Sequence, residues 1–450
     1  MSATPSATPS ATLLLAEKIV ALRDAPLTQE AETVATQCLL DWFGVALQGA
    51  QEPVAEILTD ELARGNQGAH AIIGRRETTD LINAALVNGT IGHALDYDDA
   101  IPASLGHATV PVAPTVLALA VELDATGDAT LRAFLAGYEA ECAIGTYFGP
   151  AHYARGYHAT STVGVFGAAA AAALLLGLDT QQTARALSLA ATQSGGLKSL
   201  FGSMGKPMHA GRAAADGLLA ARLVARGFDS IEDGLENAQG AGPVLAGLDA
   251  GAAINVDQFG SQIRGTLFKY HAACYGTHAP IEAARDFLAA HQPEDIEKIE
   301  IHVGTMCIGM CDIETPSSPL ECKFSLHHAV AMVLAGVDTA SLANYSTEMA
   351  NDPRLGALRD KMQVIGGFED EEGIMSAKLV VTTKNETLTF YRHTGHPSDD
   401  LADQQRRLEE KYDALAAPIL GAAADRLKHA VKELRQAPHL HEIMQLAVPA

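Results

Sequence analysis

Apolar residues recur every three or four positions in LAEKIVALRD, ETVATQCLLDWFGVAL, LRAFLAGYEAECAIGTYF and DGLLAARLVARG. That period lines one face of a helix, so the chain from Leu13 to about Phe259 reads as helical. Gly-Asp, Gly-Leu-Asp and Gly-Phe-Asp mark the stops. The run FGAAAAAALLLGL, from Phe166 to Leu178, is apolar all round. It is too short to span a bilayer and predicts a buried core helix. Abundant Ala and Gly inside the other helices predict close helix–helix contacts.

The pattern changes after about Gly260. EKIEIHVGT, from Glu297 to Thr305, alternates apolar and polar and predicts a strand. SAKLVVTTKNETLTFYRHT, from Ser376 to Thr394, predicts two strands joined by a Lys-Asn-Glu turn. Helical stretches lie between them, around Phe324–Ala335 and Asp352–Met362. From Asp399 the helical period returns in QQRRLEEKYDALAA and DRLKHAVKELRQ. The expected fold is mainly α: a large all-helical domain, 1–264 with 396–450, and a smaller α+β lid domain over 265–395. Residues 1–12 read as a disordered tail, and the last helices are expected to pack back on the first domain.

Composition narrows the function. The chain has 450 residues, 48% of them hydrophobic and 19% charged, enough for a large core. Its formal net charge of -23 argues against nucleic-acid or anionic-membrane partners. An anionic substrate would then need a local cluster of Lys, Arg and His. Six dispersed cysteines read as reduced thiols. The N-terminus lacks a basic region before its short apolar run, so a cytoplasmic protein is expected.

Five segments do not fit plain helix packing. HALDYDDAIPASLGH, His93 to His107, gathers Asp96, Asp98 and Asp99 near a helix C-terminus, where the dipole opposes carboxylates. Asp98 and Asp99 read as organising the helix end, with a solvated acidic end as the alternative, His93 as structural, and Asp96 and His107 as site candidates. In HYARGYHATSTVGVFGA, Thr160, Ser161 and Thr162 are candidate N-caps, with His158 just before an anion-attracting helix start. In GLKSLFGSMGKPMHAGRAAADG, Pro207 suits a first helical turn. Lys206, His209 and Arg212 follow at three-residue steps and can share one side. A cation beside a helix N-terminus is unfavourable unless an anion sits between them. KYHAACYGTHAPIEAA supplies Lys269, His271, Tyr275 and His278 near the domain junction, and CKFSLHHAVAMVLAG supplies Lys323 and two adjacent histidines.

Cofactors find little support. His93, Asp96 and His107 offer ligand atoms, but no two-histidine helical motif is present, and no metal is expected. Cys307, Cys311 and Cys322 do not have a usual iron–sulfur spacing. No GxGxxG or GxxxxGK[ST] occurs, so no nucleotide cofactor is expected.

Taken together, HALDYDD with its later Gly-His, GYHATSTVGVFGAAAAAALLLGL, GSMGKPMHAGRAAADG, CYGTHAPIEAA, KFSL and GHP resemble the MmgE/PrpD family in the right order. The resemblance runs from about Leu14 to Tyr412. It implies a helical domain with an α+β lid, a homodimer, a cleft between the domains, and cofactor-free chemistry on small polycarboxylates. Members include 2-methylcitrate dehydratase, cis-aconitate decarboxylase and iminodisuccinate epimerase. By motif position it implies Asp96, His107, His158, Lys206 and His278 as catalytic residues. Lys269, Arg212, Tyr275 and His209 are then candidate substrate contacts. Ala100 stands where dehydratase and decarboxylase members usually carry Thr, Ala143 stands in place of an Arg, and His327-His328 replaces Pro-Tyr, which leaves the substrate open; the DYDD-Ala-Ile-Pro spacing and HATSTVGVFGA look more like the epimerase branch. The expected activity is a lyase or epimerase working by proton transfer beside a carboxylate of a small di- or tricarboxylate. The readings from other classes are a non-catalytic carboxylate-binding protein and an iron–sulfur hydratase.

Overall fold

In the computed structural model, which describes residues 10–65, 68–368 and 375–450, the alanine-rich run forms the helix Gly164–Leu175. Every residue from Gly164 to Leu174 is buried. This helix packs against Thr109–Leu123, Gly127–Ala154 and Gly205–Ala225. Methyl-sized side chains let the helix backbones approach closely. At Gly217 even a methyl is too much, because a β-carbon there would lie 2.4 Å from the Val165 carbonyl oxygen.

A second close contact sets the site. The helix Leu81–His93 starts at Asp80, whose carboxylate accepts from the Ile82 and Asn83 amides at 3.0 Å. It runs against Gly205–Ala225. At their crossing Gly89 and Gly211 meet: a β-carbon on Gly89 would lie 2.8 Å from the Gly211 Cα. One on Gly211 would lie 2.1 Å from the Leu86 carbonyl oxygen. Only glycine at both positions lets the end of one helix reach the start of the other.

The chain divides into two compact units, one running through Phe268 and including Asp400–Ala450, the other Lys269–Asp399. The larger unit is helical apart from a two-residue ladder, His70–Ala71 with Thr78–Thr79. The tail expected over 1–12 does not reach its predicted end. Ser10 caps the helix Ala11–Ala21, and Ala11 and Thr12 are buried; residues 1–9 lie outside those described. The helix Leu401–Leu420 packs on Gln29–Gly49. Between them Lys411 pairs with Asp41 at 2.7 Å, both buried, and donates to the Tyr97 carbonyl at 2.8 Å.

The smaller unit holds a four-stranded sheet in the order Met362–Ile365, Ile296–Val303, Ser376–Thr383, Thr387–His393. The first pair is parallel and the others antiparallel. The Lys-Asn-Glu turn joins the last two as expected. The helix expected over Asp352–Met362 ends at Arg359, and Met362 instead opens a four-residue strand too short to show a period. The fold is thus mainly α with a smaller α+β unit. Among the described residues no helix is long and apolar enough to cross a membrane.

Gly211→Ala should cost about 1–3 kcal/mol of stability through overpacking at the helix crossing. Urea denaturation measures it; an unchanged midpoint would show that the crossing tolerates a methyl.

Candidate active site

The helix Leu81–His93 delivers His93, and the chain then turns sharply. Asp96 sits in the left-handed region (φ 51°), which aspartate tolerates because its short side chain bonds locally. Leu105 repeats that conformation (φ 53°). The loop is held by paired backbone bonds: the Ala100 amide to the Leu267 carbonyl and the reverse, both at 2.8 Å, and the Ile101 amide to the Gly106 carbonyl at 3.0 Å. Gly106 lies against Thr160, with room for no β-carbon there (2.9 Å from the Thr160 amide nitrogen).

Inside this loop Asp98 is fully buried. Its carboxylate meets His93 Nδ1 at 2.9 Å and His107 Nδ1 at 3.1 Å. Burial pushes its carboxyl up, but the His107 and His93 imidazoles outweigh this and hold it well below the usual range. His107 Nδ1 also lies 2.6 Å from the Asp99 carbonyl oxygen. With Nδ1–H given to these acceptors, His107 turns Nε2 towards Asp96 at 3.7 Å. Burial lowers His93 to about 4, against the pull of Asp98.

Asp96 pairs with Lys206 Nζ at 2.7 Å. Lys206 lies in the first turn of Gly205–Ala225, whose start has no side-chain cap. The anion that the sequence demanded beside this lysine is therefore present in the protein itself. The pair is the accessible part of the cluster, with Asp96 38% and Lys206 18% exposed. His158 is buried, stacks on His93 with ring centroids 5.8 Å apart, and meets His209 Nδ1 to Nδ1 at 3.1 Å. Burial first, then the nearby His93 and Lys206 charges, lowers its pKa strongly, so it stays a neutral imidazole. Phe201 packs edge-on against it.

Asp96, His107, His158, Lys206 and His209 are thus brought together in the larger unit. Arg212 is not: its guanidinium is bound by Asp216 at 2.7 Å and half exposed. Lys269, Tyr275 and His278 lie in the smaller unit. There His278 is buried, stacks on Tyr275 at 4.8 Å and meets His271 edge-on at 4.9 Å. His271 Nε2 lies 2.9 Å from Glu282. Burial and then His271 and Lys269 hold the His278 pKa well below its ordinary value. Lys269 is buried too.

Two expectations need correction. Thr160, Ser161 and Thr162 cap nothing: they form a short helix, Ala159–Thr162, and the alanine-rich helix begins at Gly164 without a side-chain cap. Their hydroxyls serve the site instead, Thr160 accepting from the His107 amide and Ser161 donating to the His209 carbonyl. Asp98 and Asp99 are not a solvated helix end. Asp99 is buried, accepts from the Thr109 hydroxyl at 2.6 Å, and burial raises it to about 7. Sequence reasoning also missed Lys198 and Tyr153. Lys198 lies 3.8 Å over the Tyr153 ring, and Tyr153 is close enough to Asp96 for that charge, after burial, to raise its phenol. No spacing signals that contact.

Among the described residues, His93, Asp96, Asp98 and His107 place ligand atoms within 4.8 Å of one another. Both imidazole Nδ1 atoms are turned onto Asp98, and Asp96 carries Lys206. The group already has its own internal counter-charges.

Two family models match the chain: MmgE/PrpD N-terminal domain over residues 14–250 and MmgE/PrpD C-terminal domain over 271–436. A human cis-aconitate decarboxylase is 28% identical over 75% of this chain and 73% of its own length. A cis-aconitate decarboxylase-like protein, oryM, of Aspergillus oryzae is 24% identical over 92% of both chains. The cis-aconitate decarboxylase of Aspergillus terreus is 25% identical over 74% of this chain and 73% of its own.

Asp99→Asn isolates one titration. In the parent, the unfolded carboxyl ionises near ~3.8 while the folded one stays protonated to about 7. The parent therefore loses stability between those values. The variant should gain on the parent as pH rises from about 4 to about 7, then track it above 7. Denaturation midpoints over that range check this; a constant difference would refute it.

Proposed function

Because this chain belongs to the MmgE/PrpD family, we propose that it is a cofactor-free lyase that removes a group beside a carboxylate of a small tricarboxylate such as cis-aconitate. The observation that carries the reading is the orientation of His107, with Nδ1 tied to Asp98 and Nε2 turned towards the Asp96–Lys206 pair. A substrate carboxylate competes with Asp96 for Lys206, the accessible cation of the cluster. The bond to the departing carboxyl group then breaks with its electron pair kept on the substrate. That pair spreads towards the carboxylate held by Lys206, which stabilises the developing charge. A histidine returns a proton to carbon. Asp98 fixes the His107 tautomer. His158, neutral through burial, is the partner base, and its bond to His209 sets which nitrogen carries the proton. His278 is proposed as a further acid/base group, with Lys269 and Tyr275 beside it in the smaller unit. The decarboxylase names of the relatives support the lyase reading.

Epimerisation is the second reading. There the anion forms by loss of the proton beside the carboxylate to a base, not by loss of carbon dioxide, and a proton is returned to the opposite face. Ala100 favours it: its backbone holds the loop to Leu267, and its side chain brings no hydroxyl.

Incubation with cis-aconitate in deuterated water, read by mass spectrometry, should show carbon dioxide release and one deuterium in the product. Lys206→Ala and His158→Ala should each lower kcat/KM at least ~10²-fold. Full activity in both variants would dismiss the site, and no carbon dioxide from cis-aconitate together with deuterium uptake beside the carboxylate of iminodisuccinate would move the assignment to an epimerase.

Metal removal is a separate check. Dialysis against a chelator should leave turnover unchanged. Loss of activity that a divalent cation restores would overturn the cofactor-free part.

A further inference from the structure

We propose that Cys274 and Cys311 form a reversible dithiol–disulfide pair, oxidised by hydrogen peroxide, that clamps the segment carrying Tyr275 and His278 to the helix Thr305–Cys311. All six cysteines carry thiols in the structure, and three of them gather in the smaller unit. Cys307 and Cys311 are four residues apart on the helix Thr305–Cys311, so they project on one side. That side faces Gly276. A methyl on Gly276 would sit 3.3 Å from both the Cys307 and the Cys311 sulfur. Two residues earlier, Cys274 completes the group. Its thiol is a hydrogen-bond partner of Cys311 and lies within electrostatic reach of Cys307.

The three thiols differ in access. Cys307 and Cys311 are buried, whereas Cys274 is partly exposed. Burial raises the Cys307 thiol to about 11, and the Cys274 hydrogen bond, then burial, raises Cys311 further. Attack on an oxidant needs a thiolate that the oxidant can reach, which assigns the first step to Cys274. Its sulfur bonds to one peroxide oxygen as the O–O bond breaks, and the released hydroxide leaves as water on taking a proton. Cys311 then attacks the sulfenic sulfur: the S–S bond forms, the S–OH bond breaks, and the second water carries the Cys311 proton. Two thiols lose two electrons and one peroxide becomes two waters.

Cys274 is placed to transmit this locally. Its amide donates to the Lys323 carbonyl at 2.9 Å, Tyr275 next to it donates to the Thr394 carbonyl at 2.5 Å, and His278 opens the helix His278–Leu288. A covalent link from Cys274 to Cys311 would restrain the short turn between these anchors.

The test uses the full chain, held reduced or treated with hydrogen peroxide, and does not depend on knowing the substrate. Peptide mapping under non-reducing conditions should find Cys274 joined to Cys311 with loss of two hydrogens, released by dithiothreitol. Amide hydrogen exchange over Tyr275–Phe287 should slow about tenfold on oxidation, and not in Cys311→Ser or Cys274→Ala. A cross-link to Cys307 alone, or Cys274 carried to sulfinic acid without a cross-link, would overturn the pairing. Unchanged exchange in the cross-linked protein would overturn the clamp.

Discussion

A carboxylate with no water around it must be matched by donors, and at Asp98 this requirement organises the candidate site. Two imidazoles answer it, His93 from the end of one helix and His107 from the far side of the loop. An unmatched buried charge costs several kcal/mol, so neither ring is free to rotate without loss of the other contacts. The loop is closed around this point by the Ala100–Leu267 and Ile101–Gly106 pairings. The positive φ of Asp96 follows from the same turn, and it aims that second carboxylate outward to Lys206. One acid is spent on orientation, and its neighbour two residues earlier is left at the accessible edge.

Behind the loop the acids behave differently. Asp99 meets a hydroxyl, not an imidazole, and burial raises it to about 7. Glu141, buried nearby, is raised well above its ordinary value by burial and by Asp99. These two buried acids are shifted towards the protonated form, whereas Asp98 faces histidine and Asp41 faces lysine. The net charge of the molecule therefore says little about the potential at the site.

Much of this was legible in the sequence, for identifiable reasons. The alanine-rich helix, the alternating strands and the hairpin turn follow from periodicity, which is a local property. The family followed from ordered motifs, and Asp96, His107, His158, Lys206 and His209 do meet in one unit. What periodicity cannot carry is contact between distant residues. The pairing of Asp98 with two histidines reads as a helix end until the loop is seen to fold inward. Hydroxyls at Thr160 and Ser161 look like caps because that is their commonest local use, yet here they bond across to His107 and His209. Arg212 shares the period of Lys206 and His209 but finds Asp216 one turn on and leaves the group. The strand at Met362 is simply too short to announce itself.

The buried pair of Lys411 and Asp41 has a bearing on the order of assembly. Lys411 also supports the Tyr97 carbonyl and lies 3.8 Å over the Tyr97 ring, inside the same loop as Asp96 and Asp98. During synthesis, the loop and most of the helices around it emerge long before this lysine does. Until it arrives Asp41 lacks its counter-ion, and the carbonyl beside Asp98 lacks its donor. The nascent helical unit can collapse early, but the loop of Asp96 and Asp98 is completed late, by a residue that follows the inserted unit in sequence. Maturation of the site is in this way coupled to having built nearly the whole chain.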